Sequence, residues 1–382
     1  MVCEKIFLHG EDMAKSDVAI LDFGSQKLTI LIGQKDVNNT INVKAKYCEN
    51  YEGFMDGEFI EPKNLEKAIF HCIQGAQRVC DVKISSLTIG VPTEFCFCKC
   101  FTNTQTFLKP KRITKRDVDE FFTEAKAEYP NFSVINQDSI YYVLGDNIKV
   151  KNPLFQVESK ISGCLSFIYA KNSFLVKVSN ILNKLGIFKL NFVSSIYAQS
   201  LYLFDEEERD RYVLLVDCGY ITTSVALIRG RGMLNLSSFS LGGGYISADL
   251  SKCLKISFQS AEELQRKIVL CIEPDENDVY DIMVDGQVIP ISMKVANAIV
   301  ESRIEMIAQG IKKCFNLWQY NFPDFISINL TGGGLTFIKG GKNILSKLLG
   351  KNVLITSVPH SQHNKPNFSS AMSILNYAIK NK

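Results

Sequence analysis

Two stretches of the chain repeat one pattern of hydrophobic and polar positions. Each has a run of β-forming apolar residues, then Asp-x-Gly, then hydroxyl-bearing residues, then apolar residues at alternating positions; the stretches span 18–30 and 213–227. Alternation with a period of two predicts a strand, and a glycine between two such runs predicts a tight turn. The pattern therefore predicts two β-hairpins of the same design, one in each half of the chain.

Apolar residues at helical spacing and continuous apolar runs predict the remaining elements. Strands are expected at 41–45, 87–91 and 165–170, and an outer hairpin around Asp285-Gly286. A helix opens at Glu61-Pro62, and its apolar stripe comprises Leu65, Ile69, Cys72, Ile73 and Ala76. Further helices are expected from 114 to about 127 with a capping box of Thr114 and Asp117, from 173 to a C-terminal Gly186, and at about 260–269, 293–318 and 368–380. The stripe of the last helix comprises Ala371, Ile374, Leu375 and Ala378.

The two predicted hairpin turns carry the residue types that bind phosphate and magnesium. Glycine next to Ser or Thr presents backbone N–H groups and hydroxyls to a phosphate, and Asp22 or Asp217 can hold a hydrated Mg²⁺. One such turn alone is an ordinary tight turn, because Asp and Gly favour turns for other reasons. A third element, the strand at 326–331 that runs into Gly332, Gly333 and Gly334, permits close approach to a nucleoside. Together the three predict one nucleotide cleft.

These motifs resemble the superfamily of actin, sugar kinases and heat-shock chaperone ATPases, and within it the bacterial cell-division family FtsA. The similarity extends over nearly the whole chain after about residue 16. It rests on the first loop at 22–28, the start of a helix at 113–118, the turn Asn152-Pro153-Leu154, the glycine-rich bend at 241–250, the helix at 261–264, the helical segment at 299–305 and the terminal segment at 367–372.

The resemblance implies an α/β, actin-like ATPase fold, in which two duplicated ribonuclease-H-like halves enclose a nucleotide cleft. The first half is expected at 16–86, together with 168–205 and the C-terminal helix at 366–382. A small inserted α+β subdomain occupies 87–167, and the second half spans 211–365 with an outer subdomain at about 240–300. The charged stretch at 205–211 is expected to be a solvated link between the halves. In this fold the last helix packs across the segment near 194–201, which would act as a hinge.

The resemblance also implies which residues bind ATP and Mg²⁺. Asp22 and Asp217 are expected to hold Mg²⁺ through water. The other expected nucleotide-binding residues are Gly24, Ser25, Gln26 and Lys27 in the first loop, Gly219, Thr222 and Thr223 in the second, and Gly243, Glu262, Gln265, Gly332, Gly333 and Gly334 on the nucleoside side.

The second loop departs from the family pattern. Tyr220 and Ile221 stand where two glycines are typical, and Ser224 replaces an acid. Because a β-branched residue adopts a positive φ only at high cost, this loop is expected to take another shape or stand further from the phosphate. Gln265 also replaces a frequent lysine. ATP binding with weak or no hydrolysis follows as the expectation.

For function, the resemblance implies a cytoskeletal adaptor of cell division that forms filaments in a nucleotide-dependent way and binds the tail of FtsZ. Arg303 aligns with a family arginine implicated in that contact, although it could equally be an exposed helix arginine. Other division proteins would bind the inserted subdomain. The alternatives are an adaptor of type IV pilus assembly like PilM, a degenerate nucleotide-binding scaffold, and a sugar or acid kinase. The kinase is disfavoured because the cysteine-rich insertion offers no obvious catalytic base.

Composition and charge argue against two classes of protein, those that bind nucleic acid and those that span a membrane. A net charge of +3 and the absence of a basic stripe argue against nucleic acid. No apolar run approaches the ~20 residues of a membrane span, and residues 1–10 are too short and mixed to anchor the chain. The chain stops at Lys382 soon after the last predicted helix, so we expect a cytoplasmic protein that reaches the division site through partners.

Twelve cysteines invite a metal or disulfide interpretation, which their spacing does not favour. There is no Cys-x-x-Cys, and Cys96, Cys98 and Cys100 alternate as on one face of a strand. A buried face of small apolar side chains is the preferred interpretation over zinc, and the free thiols suit a reducing cytosol. His360 and His363 are expected in a solvated loop.

Overall fold

The computed structural model describes residues 11–12, 17–36, 40–145, 147–284, 286–360 and 362–382. Its strands are β1 (Glu11–Asp12), β2 (Val18–Phe23), β3 (Lys27–Lys35), β4 (Ile41–Asn50), β5 (Phe54–Met55), β6 (Glu58–Phe59), β7 (Val82–Lys83), β8 (Ser86–Val91), β9 (Cys96–Arg112), β10 (Phe132–Leu144), β11 (Lys149–Val150), β12 (Val157–Lys171), β13 (Lys189–Ser194), β14 (Val213–Cys218), β15 (Thr223–Arg229), β16 (Gly232–Phe239), β17 (Val279–Val284), β18 (Gln287–Ser292), β19 (Ile328–Thr331) and β20 (Val353–Ile355).

The helices are α1 (Pro62–Cys80), α2 (Lys115–Ala125), α3 (Asn172–Lys184), α4 (Ser195–Leu203), α5 (Glu206–Asp210), α6 (Gly244–Leu254), α7 (Phe258–Lys267), α8 (Met293–Leu317), α9 (Gly341–Leu349) and α10 (Ser369–Lys380), with short 3₁₀ helices at Thr93–Phe95 and Pro366–Phe368. The apolar stripes expected in α1 and α10 are buried. The Thr114 and Asp117 capping box opens α2 as predicted, although the helix ends at Ala125, two residues earlier than expected. Helix α7 begins and ends two residues before the predicted range.

Two five-stranded sheets share one topology. The strand order is β13-β8-β2-β3-β4 in the first and β20-β19-β14-β15-β16 in the second. In each, the central strand pairs in parallel with one neighbour and antiparallel with the next strand of the chain. The hairpins have equivalent registers, with Asp22 opposite Thr29 and Asp217 opposite Ser224. The duplication predicted from the residue pattern is therefore confirmed, and with it the α/β fold of two similar halves.

A shared apolar core joins the halves. Helices α4 and α10 pack on each other, and their buried side chains, among them Ile196, Ile374 and Leu375, form one cluster with residues of both central sheets. Ile20 of β2 and Leu215 of β14 both belong to this cluster and have no solvent-exposed surface. The expected packing of the last helix across the segment near 194–201 is thus observed. The cleft opens on the other side of these helices, where β2 and β14 end.

The inserted subdomain begins later than predicted. Strand Ser86–Val91 pairs with β2 and β13, so it belongs to the sheet of the first half and not to the insertion. The inserted sheet has the order β11-β10-β12-β9, and it runs from Cys96 to Lys171. A continuous apolar run marks a buried strand without telling which sheet the strand joins. The expected limits of 87 and 167 are therefore wrong by several residues on each side.

The insertion contacts the second half directly. The Ser166 hydroxyl of β12 donates to the Met233 carbonyl at 2.8 Å and accepts from the Met233 N–H at 3.0 Å, and the Cys100 thiol donates to the same carbonyl. Cys96, Cys98 and Cys100 pack against the apolar clusters of the two halves, as the preferred interpretation had it. Burial raises the pKa of the Cys98 thiol to about 12. Among the described residues, no group of three or more metal-ligating side chains occurs, and no helix is long and apolar enough to cross a membrane.

The remaining loop predictions have mixed outcomes. The outer hairpin is formed by β17 and β18, although Asp285 lies outside the described residues, as do residues 1–10. The charged link at 205–211 contains helix α5, and Arg209 in it is buried, so the expectation of a wholly solvated link is wrong there. His360 is half-buried and bonds through Nε2 to the Ile41 carbonyl at 3.0 Å, while its ring stacks on His363.

Candidate functional site

The two Asp-x-Gly turns are closed by equivalent backbone hydrogen bonds. The Gly24 N–H donates to the Lys27 carbonyl at 3.0 Å, and the Gly219 N–H donates to the Thr222 carbonyl at 2.8 Å. A Cβ at Gly24 would lie 2.8 Å from that Lys27 oxygen, closer than side-chain carbons pack. Glycine is therefore required in the first turn because the backbone folds back on itself.

Both turns open into one cleft of about 620 Å³ between the halves. Every predicted nucleotide-binding residue except Thr223 lies on its lining, namely Asp22, Gly24, Ser25, Gln26, Lys27, Asp217, Gly219, Thr222, Gly243, Glu262, Gln265, Gly332, Gly333 and Gly334. Thr223 is fully buried and its hydroxyl donates to the Leu241 carbonyl at 2.6 Å. Its predicted place at the phosphate is therefore wrong: as the first residue of β15 it points into the second half.

Asp22 is buried and Asp217 is half-buried, and both line the cleft. Asp22 is 7% exposed; its Oδ1 accepts from the Ser370 hydroxyl at 2.8 Å, and the Ser195 hydroxyl lies 3.5 Å away. Burial raises the pKa of Asp22 to about 7; the hydrogen bond from Ser370 opposes this rise and the charge of Asp217 adds to it. Burial also raises the pKa of Asp217, against a hydrogen bond from the Gln199 amide at 2.7 Å.

No Lys or Arg of the described residues pairs with either of these carboxylates. A buried acid whose pKa is raised by burial and by a second acid is stabilised in its charged form by an added cation. Because the described residues place no group of three or more metal-ligating side chains together, a Mg²⁺ bound by Asp22 and Asp217 would need water and phosphate oxygens for its other ligands. These two carboxylates fit a magnesium ion held through water.

The triple-glycine turn packs against the second aspartate turn. Gly332 has a φ of +85°, and a Cβ there would collide with Asp217 Oδ1 and the Cys218 carbonyl. A Cβ on Gly243 would lie 2.5 Å from Gly334 Cα. The triple-glycine turn, the glycine-rich bend and the second Asp-x-Gly turn thus meet on one wall of the cleft. Their backbones can come this close because Gly243, Gly332 and Gly334 have no side chains.

The second loop takes a shape that its bulky residues permit. Neither Tyr220 nor Ile221 adopts a positive φ. The Ile221 N–H donates to the Ser25 hydroxyl at 2.9 Å, so the two loops bond to each other across the cleft. The Tyr220 ring covers Gly244, and its hydroxyl donates to Glu262 Oε1 at 3.1 Å. Two groups expected to face a nucleotide, Ser25 and Glu262, therefore have partners within the chain.

On the nucleoside side, the chain carries a cation that sequence reasoning missed. Gln265, in place of the family lysine, donates through Nε2 to the Gly243 carbonyl at 3.3 Å and accepts from the Ser247 hydroxyl. Arg266, the next residue, lines the cleft with an exposed side chain and lies 3.9 Å from Glu262. The sequence could have indicated this cation, because Arg266 directly follows Gln265, the position where a lysine is frequent in the family.

Other residues that line the cleft were not among the predicted site residues; some lie within the motif segments and others outside them. They are Phe23, Thr29, Phe54, Pro92, Thr93, Ser195, Ile196, Tyr220, Ser224, Ser247, Phe337, Ile338, Pro366, Asn367 and Ser370. Ser195 and Ser370 lie in the first turns of helices α4 and α10, which pack on each other beside the cleft. Their contact with Asp22 depends on how distant segments pack, and no local sequence pattern reports that.

Two further contacts join the halves beside the cleft. The Ser240 hydroxyl lies 3.0 Å from Asp56 Oδ1 and 3.2 Å from Glu94 Oε1. The Tyr245 hydroxyl lies 3.6 Å from Met55 Sδ. The turn between β5 and β6 of the first half therefore rests on the glycine-rich bend of the second half.

Arg303 lies outside the cleft, on α8. Its guanidinium makes a bidentate pair with Asp249 at 2.6 and 2.8 Å, and its side chain is 12% exposed. Its Cζ also lies 5.5 Å from the centre of the Tyr245 ring. The alternative of an exposed helix arginine is therefore wrong, and an acidic peptide could reach this guanidinium only by displacing or sharing Asp249.

Known proteins resemble the chain in sequence and in structure. The family model described as "Cell division protein FtsA" matches residues 214–373. The FtsA of Neisseria meningitidis serogroup B is 23% identical over an alignment of 380 residues, which covers 95% of this chain and 90% of that protein. The FtsA of Streptococcus pneumoniae is 22% identical, covering 94% of this chain and 79% of its own length.

Solved structures give the fold. The PilM-PilN type IV pilus biogenesis complex has a TM-score of 0.64 at 15% identity, covering 96% of this chain and 99% of the other. MreB5 of Spiroplasma citri bound to AMPPNP has a TM-score of 0.56 at 12% identity, covering 97% and 98%. The chain is thus similar in sequence to the FtsA cell-division proteins over most of its length, and its fold is that of the actin-like ATPases.

Proposed function

We propose that this protein is an FtsA-like adaptor of bacterial cell division whose cleft binds ATP with Mg²⁺ and hydrolyses it slowly or not at all. One observation carries the proposal. Asp22, Asp217 and the triple-glycine turn line a single cleft between two halves of matching topology. The similarity to FtsA over 95% of the chain supplies the cellular role.

In this proposal, each part of the cleft binds a different part of Mg-ATP. Asp22 and Asp217 hold hydrated Mg²⁺, the two hairpin turns hold phosphate oxygens, and the glycines at 332–334 admit the nucleoside. Bound Mg-ATP supplies negative charge that both turns can contact at once. Because the turns belong to different halves, occupancy favours the closed arrangement over an open one. The closed arrangement is the one we propose to assemble into filaments.

We expect slow hydrolysis because several polar groups of the cleft already form hydrogen bonds within the chain. The Ile221 N–H donates to Ser25, and the Tyr220 hydroxyl donates to Glu262. Asp217 accepts from Gln199, which holds this carboxylate on the buried wall. A group that must orient an attacking water needs to be available at the cleft, and these are engaged elsewhere. Binding without turnover therefore suits the site better than rapid catalysis.

Thermal unfolding tests nucleotide binding. The melting temperature is measured with ATP or ADP, with and without Mg²⁺, for the native chain and for Asp22→Ala. Ligand that binds only the folded state raises the melting temperature, and we expect the Mg²⁺-dependent rise to vanish in Asp22→Ala. Asp119→Ala, an exposed acid of α2, is the matched control and should keep the rise. A rise that Asp22→Ala leaves unchanged would refute the proposed cleft.

Partner binding separates division from pilus assembly. The proposed partner is the acidic tail of FtsZ, bound near Arg303, and the test is capture of the chain by a synthetic tail peptide. We expect capture by the native chain and its loss in Arg303→Glu. Capture that persists in Arg303→Glu would remove Arg303 from the contact.

A PilM-like pilus adaptor is the second candidate, favoured by the TM-score of 0.64 to the PilM-PilN complex. Absence of any capture by the FtsZ tail, with nucleotide binding intact, would favour this candidate. Self-association is tested separately, by sedimentation with and without Mg-ATP.

A further inference from the structure

A second cavity, of about 580 Å³, lies away from the cleft. Its walls come from β10 and β11 of the inserted subdomain, from helix α5 and from the turn between β15 and β16. Three parts of the chain that are distant in sequence therefore meet there. The cavity has no role in the function proposed above.

A buried cation lines this cavity and makes no ion pair, although the charges of Glu206 and Asp138 act on it from a distance. Arg209 is 5% exposed; its Nε donates to the Phe204 carbonyl at 3.3 Å and its Nη1 to the Gly230 carbonyl at 2.9 Å. No carboxylate of the described residues comes within ion-pair distance of it. Two carbonyls offset only part of the cost of burying a positive charge, so an anion nearby would stabilise it.

Two more cations flank one aromatic ring on the same wall. Lys149 Nζ lies 4.7 Å from the centre of the Tyr141 ring, and Arg229 Cζ lies 6.0 Å from it. Arg229 also lies 4.9 Å from the Tyr212 ring and donates to the Tyr212 hydroxyl at 3.3 Å. Within the described part of the chain, neither cation pairs with a carboxylate. The ring faces hold the cations in place without neutralising them.

The acidic side chains that line the cavity do not neutralise all of its cations. Lys151 pairs with Asp210 at 2.6 Å and Arg231 with Asp138 at 3.0 Å, and Glu206 is the other acid of the lining. The described lining therefore carries five cationic and three acidic side chains. The excess of positive charge coincides with Arg209, Arg229 and Lys149.

We propose that this cavity binds an anionic ligand through phosphate or carboxylate oxygens, with Arg209, Arg229 and Lys149 as its cationic partners. Guanidinium groups bind such oxygens with paired N–H donors, and the Tyr141 face offers an apolar surface beside them. Because the cavity joins the inserted subdomain to the second half, an occupied cavity holds these two parts together.

Isothermal titration of inorganic pyrophosphate into the full chain tests the site. We expect Lys149→Gln with Arg229→Gln to weaken binding at least about tenfold, since two charge-assisted contacts are lost. Lys109→Gln, an exposed lysine of the inserted sheet, is the matched control and should bind as the native chain does. Asp22→Ala should also keep this binding event, which separates it from phosphate binding in the cleft.

A parallel titration with citrate distinguishes the two oxygen sources, because binding of citrate alone would identify a carboxylate ligand and binding of pyrophosphate alone a phosphate ligand. Circular dichroism and the melting temperature establish that the double variant is folded. Equal affinity of the native chain and the double variant for both probes would overturn the proposal, as would an equal loss in Lys109→Gln.

Discussion

The two hairpin turns at the cleft have the same strand register, yet they use their polar groups differently. The first keeps the side chains of Ser25, Gln26 and Lys27 on the cleft lining. The second carries Tyr220 and Ile221. The Ile221 N–H donates to Ser25 of the first loop, the Tyr220 carbonyl accepts from Gly244 of the glycine-rich bend, and the Tyr220 hydroxyl donates to Glu262 of α7. Duplication has thus preserved the strand register of both turns, whereas two residues of the second turn bond to other parts of the protein.

Each hairpin turn is also supported by hydrogen bonds from neighbouring backbone and side-chain groups. The Tyr51 hydroxyl and N–H bond to the carbonyls of Gly24 and Gln26, so the first turn is held by its own half. The second turn is held by the N–H groups of Gly243 and Gly244, which donate to the carbonyls of Gly219 and Tyr220. Each turn is therefore held by two hydrogen bonds from its own half.

Replacing the glycines that back the two turns should have the largest effect. Gly53 (φ +81°) packs on the Ser25 carbonyl and Gly332 (φ +85°) on Asp217, and a Cβ at either would collide with its neighbour. We expect Gly53→Ala and Gly332→Ala each to lower the free energy of unfolding by about 3 kcal/mol, through left-handed strain plus overpacking. Gly350→Ala (φ +64°), with open space around it, should cost only about 1 kcal/mol. Urea denaturation measures all three, and equal losses would show that the contacts with the turns contribute nothing.

The pH dependence of stability should distinguish Asp22 from other acids of the chain. Its pKa in the folded state is about 7, above that of the unfolded chain, so between these values the folded state binds the extra proton. The contribution of Asp22 to the free energy of unfolding is therefore complete below about pH 4, and it falls as the pH rises towards 7 by at most about 1.4 kcal/mol per pH unit. We expect about 2 kcal/mol of this loss between pH 5 and 7 to disappear in Asp22→Asn. A native-like slope in Asp22→Asn, from urea denaturation at each pH, would contradict this.

Breaking the bond between the turns should have a smaller effect. Ser25→Ala removes the acceptor of the Ile221 N–H, and we expect a loss of about 1 kcal/mol in stability. Hydrogen exchange at the Ile221 amide should become faster, while Ser25→Thr keeps a hydroxyl and should retain protection. Unchanged exchange in Ser25→Ala would mean that this contact does not hold the turns together.

Removing the Tyr220 hydroxyl should have the smallest effect. Tyr220→Phe releases Glu262 for the nucleoside side at a stability cost below about 1 kcal/mol. We expect nucleotide affinity to rise about two- to threefold by fluorescence titration with a labelled ADP, if Glu262 then accepts from the ribose. Tyr129→Phe, distant from the cleft, is the matched control and should leave affinity unchanged. Weaker binding in Tyr220→Phe would make the hydroxyl itself a ligand-binding group.

Local patterns predicted the elements that carry the cleft. The hairpins followed from alternating apolar residues around Asp22 and Asp217, and α1 followed from the stripe that includes Leu65 and Ile69. Thr223 was misassigned because a hydroxyl in a turn motif does not reveal on which side of the strand it points. Strand Ser86–Val91 was predicted as a strand but assigned to the wrong sheet, because an apolar run does not indicate with which strands it pairs.

The residue order by itself determined the duplicated design, the acids and glycines of the cleft and the helices that cover the sheets, because these depend on periodicity and turn chemistry within short segments. Only the tertiary structure decided that Ile221 bonds to Ser25, that Arg303 pairs with Asp249, and that Arg209 is buried beside other cations. Each of those contacts joins residues far apart along the chain. Their free energy depends on distance and burial in the folded protein, which no local pattern encodes.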